Sequence, residues 1–268
     1  MKNKVVIVTG ASSGIGLATA REFAAQGAHV VLAARSYDII KQEEENLKNN
    51  GYDAHAIKVD VSSEDDCKNL IDRTIEKYGK IDILINNAGI SMRAFFKDVD
   101  LNVLKKLMDV NFWGTVYCTK YALPYILQSK GSIVGVSSVA GFLGLPGRTG
   151  YSASKFAMHG FLETLRIEHL KDDLHVLILC AGYTRSNIRY KALLANGSYQ
   201  GFTPREEEKM MTPEEVAKII VKCVRKRVDF KILSIEGKLS YFLKIFFPRF
   251  IQKASLKNIE KEGELPVK

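Results

Sequence analysis

Residues 4–16, KVVIVTGASSGIG, join a short apolar run to a glycine-rich turn. The apolar run predicts a buried β-strand, and the spacing after the turn predicts a helix from Ile15 to Gln26. Glycines at this junction let the backbone turn tightly and approach a ligand, while the first amides of the helix face a diphosphate. The spacing G-x-x-x-G-x-G lacks the lysine of a P-loop, which disfavours nucleoside triphosphate hydrolysis. The plainer alternative is a glycine-rich turn that binds no ligand.

Apolar runs continue to alternate with helical patterns as far as residue 182. Further strands are predicted at 29–35, 54–61, 81–89, 132–138 and 174–182, with helices at 37–50, 64–79, 101–128 and 151–170. This order gives parallel strands joined by right-handed crossovers, with helices on both faces of the sheet. We therefore predict an α/β fold, a Rossmann-type doubly wound parallel sheet of three layers in a single domain over residues 1–235. A basic amphipathic extension is predicted at 236–268.

Two later boundaries are also marked by sequence. Thr212, Pro213 and Glu215 form a capping box with proline at the first helical position, which predicts the start of a helix. Pro248 is predicted to break the helical pattern of the extension. The polar stretch between Gly182 and Met211 is longer than most connections in compact domains, and we interpret it as a lid.

Composition and charge narrow the function classes. The chain has 268 residues, 46% hydrophobic and 26% charged, which excludes disordered and membrane-spanning proteins. The first strand starts so early that we expect no signal peptide, and four cysteines without C-x-x-C spacing indicate a reducing, cytoplasmic setting. Cysteines and histidines lack metal-ligand spacing, so no metal is expected. The net charge of +9 suits an anionic ligand or a membrane surface, and without an accompanying motif we expect no nucleic-acid partner.

The end of the second strand bears on the choice of dinucleotide. Sites that bind NAD place an acidic residue here to accept hydrogen bonds from the adenosine ribose. This chain has Ala34 at that position, followed by Arg35 and Ser36. A guanidinium can clamp a 2′-phosphate, with Ser12 or Ser13 as a further donor, so NADP(H) is preferred and NAD(H) is the second choice. The alternative is that Arg35 is a solvated charge.

The motif YSASK at 151–155 carries the chemistry. On a helix, Tyr151 and Lys155 lie on one face, one turn apart. An ammonium at about 4 Å and an effective dielectric of about 20 supplies about 4 kcal/mol. That energy could lower the pKa of the phenol from about 10 to roughly 7, where it exchanges protons at neutral pH. An ordinary helix with a snorkelling lysine is the alternative.

Taken together, these motifs resemble the short-chain dehydrogenases/reductases of the classical type. The resemblance covers nearly the whole chain and rests on TGASSGIG at 9–16, DV at 60–61, NNAG at 86–89, Asn111 in DVNFWG, SS at 137–138, YSASK at 151–155 and AG at 181–182. It implies a catalytic set in which Ser138 polarises the substrate carbonyl, Tyr151 transfers the proton, Lys155 holds the nicotinamide ribose and tunes Tyr151, and Asn111 supports a water in a proton relay. The implied cofactor contacts are Gly10, Ser12, Ser13, Gly14, Ile15, Gly16, Arg35, Ser36, Asp60, Val61, Asn87, Ala88, Gly89, Tyr151, Lys155, Gly182 and Thr184.

Two positions of the motifs leave the site less defined. The family usually has proline where this chain has Ala181, which leaves the path of the next loop, with Thr184, less defined. Ser137 competes with Ser138 for the catalytic role, but neighbouring strand residues point to opposite faces, so only one can serve.

The predicted function is an NADP(H)-dependent oxidoreductase that interconverts a ketone or aldehyde and an alcohol on a small apolar substrate. Apolar residues are expected to line the mouth of the site, with core packing as their alternative: Ile90, Met92, Phe95, Phe96, Phe142, Leu143, Leu145 and Tyr183. A non-catalytic dinucleotide-binding regulator or redox sensor on the same fold is the alternative function. A serine hydrolase is disfavoured because Val139 replaces the final glycine of G-x-S-x-G.

The extension interleaves aromatic and aliphatic residues with lysine and arginine. Leu239, Phe242 and Phe246 have helical spacing before Pro248, and Phe250 and Ile251 follow it. Three uses remain open: a flap over the substrate cleft, a contact between subunits, or a peripheral membrane contact through 238–260. The resemblance implies a homodimer or homotetramer formed through the helices at 101–128 and 151–170.

Overall fold

A computed structural model describes residues 1–203 and 210–261. These residues form a parallel seven-stranded sheet with the strand order β3-β2-β1-β4-β5-β6-β7. The strands are β1 (Val5–Thr9), β2 (His29–Ala34), β3 (Ala54–Lys58), β4 (Ile83–Asn86), β5 (Ser132–Ser138), β6 (His175–Ala181) and β7 (Phe230–Ile232). The predicted doubly wound sheet is therefore confirmed.

Helices cover both faces of the sheet. They are α1 (Gly14–Ala25), α2 (Tyr37–Asn49), α3 (Glu64–Tyr78), α4 (Leu101–Met108), α5 (Gly114–Gln128), α6 (Thr149–Glu168), α7 (Pro213–Arg225), α8 (Ile235–Phe246) and α9 (Pro248–Lys261). Alternate strand residues face opposite layers, so Ile7 packs with residues of α3, α5 and α6. Val6 and Val8 pack on the other side with α1, α2 and α7. Three layers result, as predicted.

Helix boundaries follow the local sequence. The side chain of Thr212 accepts a hydrogen bond from the Glu215 amide, and the Glu215 carboxylate accepts one from the Thr212 amide, so the predicted capping box starts α7. The break at Pro248 separates α8 from α9. The predicted helix over 101–128 is instead α4 and α5 joined by a π-helical turn at Asp109–Trp113. The strand β7 was not predicted, because a strand of three residues with Lys231 at its centre is too short to show a clear hydrophobic period.

Part of the predicted lid packs against the domain. The described part of the stretch after Gly182 pairs Leu193 with Met92 and with Tyr199 through isolated bridges. Leu193 is buried. Residues 204–209 of the predicted lid and residues 262–268 of the predicted extension lie outside the described residues.

The strand order reverses between β1 and β4, which are neighbours in the sheet. In open α/β sheets ligands bind beyond the carboxyl ends of the strands at such a switch point. The turn after β1 and the segment after β4 therefore face the same crevice. Among residues 1–203 and 210–261, no helix is long and apolar enough to cross a membrane.

Candidate active site

The glycine-rich turn has the backbone that only glycine readily adopts. Gly10 and Gly14 have φ of 66° and 55°, in the left-handed region. A Cβ atom at Gly16 would lie 2.3 Å from the Gly10 carbonyl oxygen, so the turn folds tightly onto α1. Because α1 begins at Gly14, the free amides of its first turn face the crevice.

Thr9 and Asn87 tie the ends of β1 and β4 together. The Thr9 hydroxyl donates to the Ile85 carbonyl oxygen at 3.2 Å and accepts from the amides of Asn87 and Ala88 at 3.0 and 3.1 Å. The Asn87 side-chain amide donates to the Thr9 carbonyl oxygen at 2.9 Å. These bonds hold the 87–89 segment beside the glycine turn, as a dinucleotide crevice requires.

A cleft joins most of the residues predicted to bind the cofactor. Its lining includes Gly10, Ser12, Ser13, Gly14, Ile15, Arg35, Ser36, Asp60, Val61, Asn87, Ala88 and Gly89. The donors would suit a dinucleotide, since helix amides and serines at the glycine turn can donate to a diphosphate and a guanidinium stands beyond the end of β2. Gly16 lies beneath the turn and does not line the cleft.

The opposite wall of the cleft was missed by the sequence reasoning. It consists of Ser186, Asn187, Ile188 and Lys191, from the stretch interpreted as a lid. The Ser186 side chain is the nearest neighbour that a Cβ atom at Gly14 would meet, at 3.3 Å. The polar composition of this stretch indicated only a loop. It has no hydrophobic periodicity that would show which of its residues face the cleft.

At the adenosine end of the cleft, Arg35 lies close to Asp60. A guanidinium nitrogen of Arg35 is 3.9 Å from a carboxylate oxygen of Asp60, and both side chains are substantially exposed. Exposed ion pairs contribute little. The guanidinium therefore remains available to an anion, and Ser36, the N-cap residue of α2, lies next to it.

Tyr151 and Lys155 both lie on α6, and Ser138 ends β5. Burial raises the pKa of Tyr151, and a side-chain hydrogen bond with Ser138 acts in the opposite direction. The Lys155 ammonium is 6.0 Å from the centre of the Tyr151 ring and donates to the Val136 carbonyl oxygen at 3.0 Å. Burial lowers the pKa of Lys155 to about 8.

This arrangement differs from the expectation that Lys155 lowers the pKa of Tyr151 to roughly 7. The pKa of Tyr151 is raised, because desolvation of the phenolate outweighs the hydrogen bond from Ser138. The ammonium of Lys155 is directed to a backbone carbonyl rather than to the phenol oxygen. Spacing in a helix placed the two residues correctly on one face, but it contained no information about desolvation.

Ser137 and Ser138 point to different sides, as predicted for a strand. The Ser137 hydroxyl lies 2.7 Å from Nε2 of the buried His159, whereas Ser138 interacts with Tyr151. Burial lowers the pKa of His159 to about 4, so this histidine is neutral at physiological pH. Of the two serines, Ser138 is the one next to the phenol.

Asn111 lies in the π-helical turn, a feature that is frequent at functional sites. Its side-chain oxygen accepts from the Ile90 amide at 2.8 Å, and its amide nitrogen donates to the Ile90 carbonyl oxygen at 3.0 Å and to Ser154 at 2.9 Å. A Cβ atom at Gly89 would lie 3.2 Å from the Asn111 oxygen and 3.6 Å from the Lys155 ammonium. Asn111 thus fixes the segment after β4 against Lys155.

The residues predicted to line the mouth divide into three groups, since Ile90, Phe95 and Leu145 are partly buried. Met92, Phe142 and Leu143 are buried in core clusters, so for them the packing alternative holds. The Met92 cluster includes Leu107 and Leu193 and packs against Tyr151, which places apolar surface beside the phenol. Phe96 and Tyr183 are exposed.

The predicted cofactor contacts Tyr151, Lys155, Gly182 and Thr184 lie outside the cleft lining. A Cβ atom at Gly182 would lie 2.8 Å from Cβ of Ser234, so this glycine permits close packing against the segment before α8. Thr184 is buried, and its hydroxyl donates to the Gly182 carbonyl oxygen at 3.4 Å. Their contact with a nicotinamide stays a prediction.

Replacement of Lys155 by methionine should change how stability depends on pH. In the wild type, Lys155 has a pKa of about 8 against its ordinary 10.5, so the unfolded chain binds more protons between these values and stability rises with pH. We expect the wild type to gain about 2 kcal/mol relative to Lys155→Met between about pH 7.5 and 9.5. Urea unfolding of both proteins at the two pH values measures this gain. A constant difference would show that Lys155 titrates normally.

Comparisons with known proteins agree with this geometry. The family model described as short chain dehydrogenase matches residues 4–196. The chain is 43% identical over 187 residues to 11-beta-hydroxysteroid dehydrogenase 1A of Arabidopsis thaliana, covering 69% of this chain and 53% of that protein. The chain thus spans about half the length of that relative. It is 33% identical over 275 residues to Dehydrogenase/reductase SDR family protein 7-like of Drosophila melanogaster, covering 98% and 84% of the two chains.

Solved structures have the same fold. An alcohol dehydrogenase from Thermococcus sibiricus, complexed with 5-hydroxy-NADP, superposes with a TM-score of 0.75 at 25% identity and covers 87% of this chain and 96% of its own. A short chain dehydrogenase/reductase from Burkholderia phymatum in complex with NAD gives 0.83 at 23% identity over 93% and 95%. The family match and the relatives together show that this chain belongs to the short-chain dehydrogenase/reductase family of NAD(P)-binding oxidoreductases.

Proposed function

We propose that this chain is an NADP(H)-dependent oxidoreductase that interconverts a ketone or aldehyde with an alcohol on an apolar substrate. The observation that carries the proposal is that Ser138, at the end of β5, acts on the phenol of Tyr151, which lies on α6 together with the buried Lys155. Beside this pair, apolar residues offer contact to a substrate and the cleft offers a place for a dinucleotide.

Tyr151 acts as the proton donor in the direction of reduction. When bound, a reduced nicotinamide dinucleotide supplies the hydride. Negative charge then develops on the carbonyl oxygen, and the hydroxyls of Ser138 and Tyr151 stabilise it before Tyr151 gives up its proton. A raised pKa keeps Tyr151 protonated at neutral pH, and a phenol is still acidic enough to protonate an alkoxide. The arrangement therefore favours carbonyl reduction over alcohol oxidation.

Asn111 and Lys155 are proposed to position the parts of the site around Ser138 and Tyr151. Asn111 holds the segment after β4, and Lys155 stands 3.6 Å from the position of a Cβ atom on Gly89 in that segment. We therefore propose that the Lys155 ammonium donates to the hydroxyls of a nicotinamide ribose. Ser12 and Ser13 would meet the diphosphate, and Val61 would flank the adenine.

The preference for NADP(H) rests on Arg35 and on the absence of an acidic side chain at Ala34. Both residues line the adenosine end of the cleft together with Ser36. A guanidinium and a hydroxyl suit a 2′-phosphate, whereas an NAD-specific site has a carboxylate at the end of β2. The nearby Asp60 carboxylate lies 3.9 Å from the Arg35 guanidinium, and its side chain is 40% exposed.

The substrate class follows from the apolar surroundings of Tyr151. Met92 and Leu193 belong to the cluster that packs against its ring, which suits a lipophilic carbonyl compound better than a sugar. The Arabidopsis relative is named an 11-beta-hydroxysteroid dehydrogenase. Steroid ketones are therefore the first class that we propose.

We further propose a cytoplasmic homodimer or homotetramer. The helices α5 and α6, with the π-helical turn before α5, present exposed Trp113, Phe156 and Ile167. Apolar side chains on adjoining helices are suited to burial between subunits. Sedimentation equilibrium of the full chain would give the number of subunits.

A substrate panel tests the proposed activity. We expect NADPH oxidation with steroid ketones, weaker oxidation with aliphatic aldehydes, and the least with 3-oxoacyl thioesters, because the last carry a large polar carrier group. The same panel with NADH provides the matched comparison. Tight NADPH binding without turnover of any compound would instead favour the dinucleotide-binding regulator.

A further inference from the structure

We propose that α8 and α9 form a docking surface for an anionic lipid bilayer. The surface, here called the apolar hairpin face, consists of the exposed side chains Leu239, Phe242, Ile245, Phe246, Phe247 and Phe250. It lies on the bilayer, since α8 has only 12 residues and is too short to cross one. This inference does not depend on the substrate or on turnover.

The aromatic and aliphatic side chains of the apolar hairpin face are more exposed than such residues usually are. Leu239, Phe242 and Phe246 are 56%, 54% and 60% exposed and lie at positions i, i+3 and i+7 of α8. The rings of Phe242 and Phe246 are 4.6 Å apart. Phe247 and Phe250 extend the surface across the turn into α9. Contiguous exposed apolar residues of this kind mark an interaction surface rather than ordinary scatter.

Other side chains of the same two helices attach them to the domain. Tyr241 packs edge-on against Phe142, with ring centres 5.1 Å apart, and Leu243 packs against the core. In α9, Ile251 and Ile259 are buried. The residues that face the domain are thus different from those of the apolar hairpin face.

The charges around the apolar hairpin face decide between a lipid surface and a second copy of the chain. Residues 235–261 contain six lysines and arginines but two glutamates. Lys238, Arg249, Lys253 and Lys257 are exposed. A two-fold contact through this face would bring the same cationic surface of two copies together. An anionic lipid surface attracts each of them, and apolar side chains flanked by cations are typical of helices that lie in the membrane interface.

Sedimentation with lipid vesicles tests the proposal on the full chain. The probe is phosphatidylcholine vesicles containing about one third phosphatidylserine, and pure phosphatidylcholine vesicles serve as the comparison. We expect the wild type to sediment with the anionic vesicles, to do so less as salt is added, and to stay largely in solution with the neutral ones. A wild type that stays in solution with both vesicle types would overturn the proposal.

Two double variants separate the apolar and the electrostatic parts. Phe242→Ser with Phe246→Ser should weaken binding to anionic vesicles by at least about tenfold. Lys253→Gln with Lys257→Gln should weaken it by about fivefold for each lysine removed. The matched control, Ile39→Ser with Leu170→Ser, removes equally exposed apolar residues from other parts of the surface and should bind like the wild type.

Other results would identify another occupant. Wild-type vesicle binding by both test variants would overturn the proposal. So would a change from dimer to monomer in the serine variant, measured by sedimentation equilibrium without lipid, because the face would then be a contact between copies. The thermal unfolding midpoint of each variant reports whether it is folded, and the lysine variant, which changes only exposed side chains, keeps the test valid if the serine variant unfolds.

Discussion

Tyr151→Phe is expected to lower the turnover number for carbonyl reduction by about 10²–10⁴-fold. The variant retains the ring, which packs against the Met92 cluster, and loses only the hydroxyl that interacts with Ser138. Proton donation to the developing alkoxide would then depend on water. NADPH affinity should change by less than about twofold, because the glycine turn and the Arg35 region of the cleft are untouched.

The measurement is steady-state NADPH oxidation with the best ketone of the panel, combined with NADPH binding followed by fluorescence. Tyr78→Phe is the matched control, since Tyr78 is a phenol on α3 that donates to Asp53, away from the cleft. That control should keep the wild-type rate. A Tyr151→Phe rate within about tenfold of the wild type would reject Tyr151 as the proton donor.

The pH profile gives a second test of the same residue. The pKa of Tyr151 is raised by burial, so this proton donor stays protonated through neutral pH. Reduction should therefore be independent of the ionisation of Tyr151 at neutral pH and should decline only in the alkaline range. A decline centred near pH 7 would support the original expectation that Lys155 makes the phenol acidic.

The sheet and the cleft were predictable because they depend on local patterns. KVVIVTGASSGIG contains a strand, a glycine turn and a helix start in one stretch, and each obeys rules that act over a few residues. Asn87 was implied by the resemblance of NNAG at 86–89 to the family motif. Its hydrogen bonds to Thr9 then follow from the pairing of β1 with β4.

The remaining features depend on contacts between distant segments. The raised pKa of Tyr151 reflects desolvation, which the YSASK spacing does not contain. The wall at 186–191 meets Gly14 only through the course of a long irregular stretch. Asn111 was identified, but the π-helical turn that positions its carboxamide toward Ile90 is a departure from the regular helix that its sequence pattern indicates.

The preference for NADPH should depend on Arg35. We expect Arg35→Ala to raise KM for NADPH about ten- to a hundredfold, the effect of losing a charge-assisted bidentate contact to a phosphate. KM for NADH should change little, because NADH has no 2′-phosphate to lose. The guanidinium is only weakly held by Asp60, at 3.9 Å, so its removal should leave the unfolding midpoint nearly unchanged.

A carboxylate at position 34 should reverse the preference for NADPH over NADH rather than merely weaken it. Ala34 ends β2 and lines the cleft, so Ala34→Asp combined with Arg35→Ala places an acidic group where it can accept from the ribose and repel a 2′-phosphate. Measurement of kcat/KM with both dinucleotides compares the wild type, both variants and the control Arg73→Ala, which removes an exposed arginine from α3. If Arg35→Ala and Arg73→Ala have the same ratio of NADPH to NADH efficiency as the wild type, Arg35 is a solvated charge. The preference, if any, would then have to come from donors such as Ser12, Ser13 and Ser36.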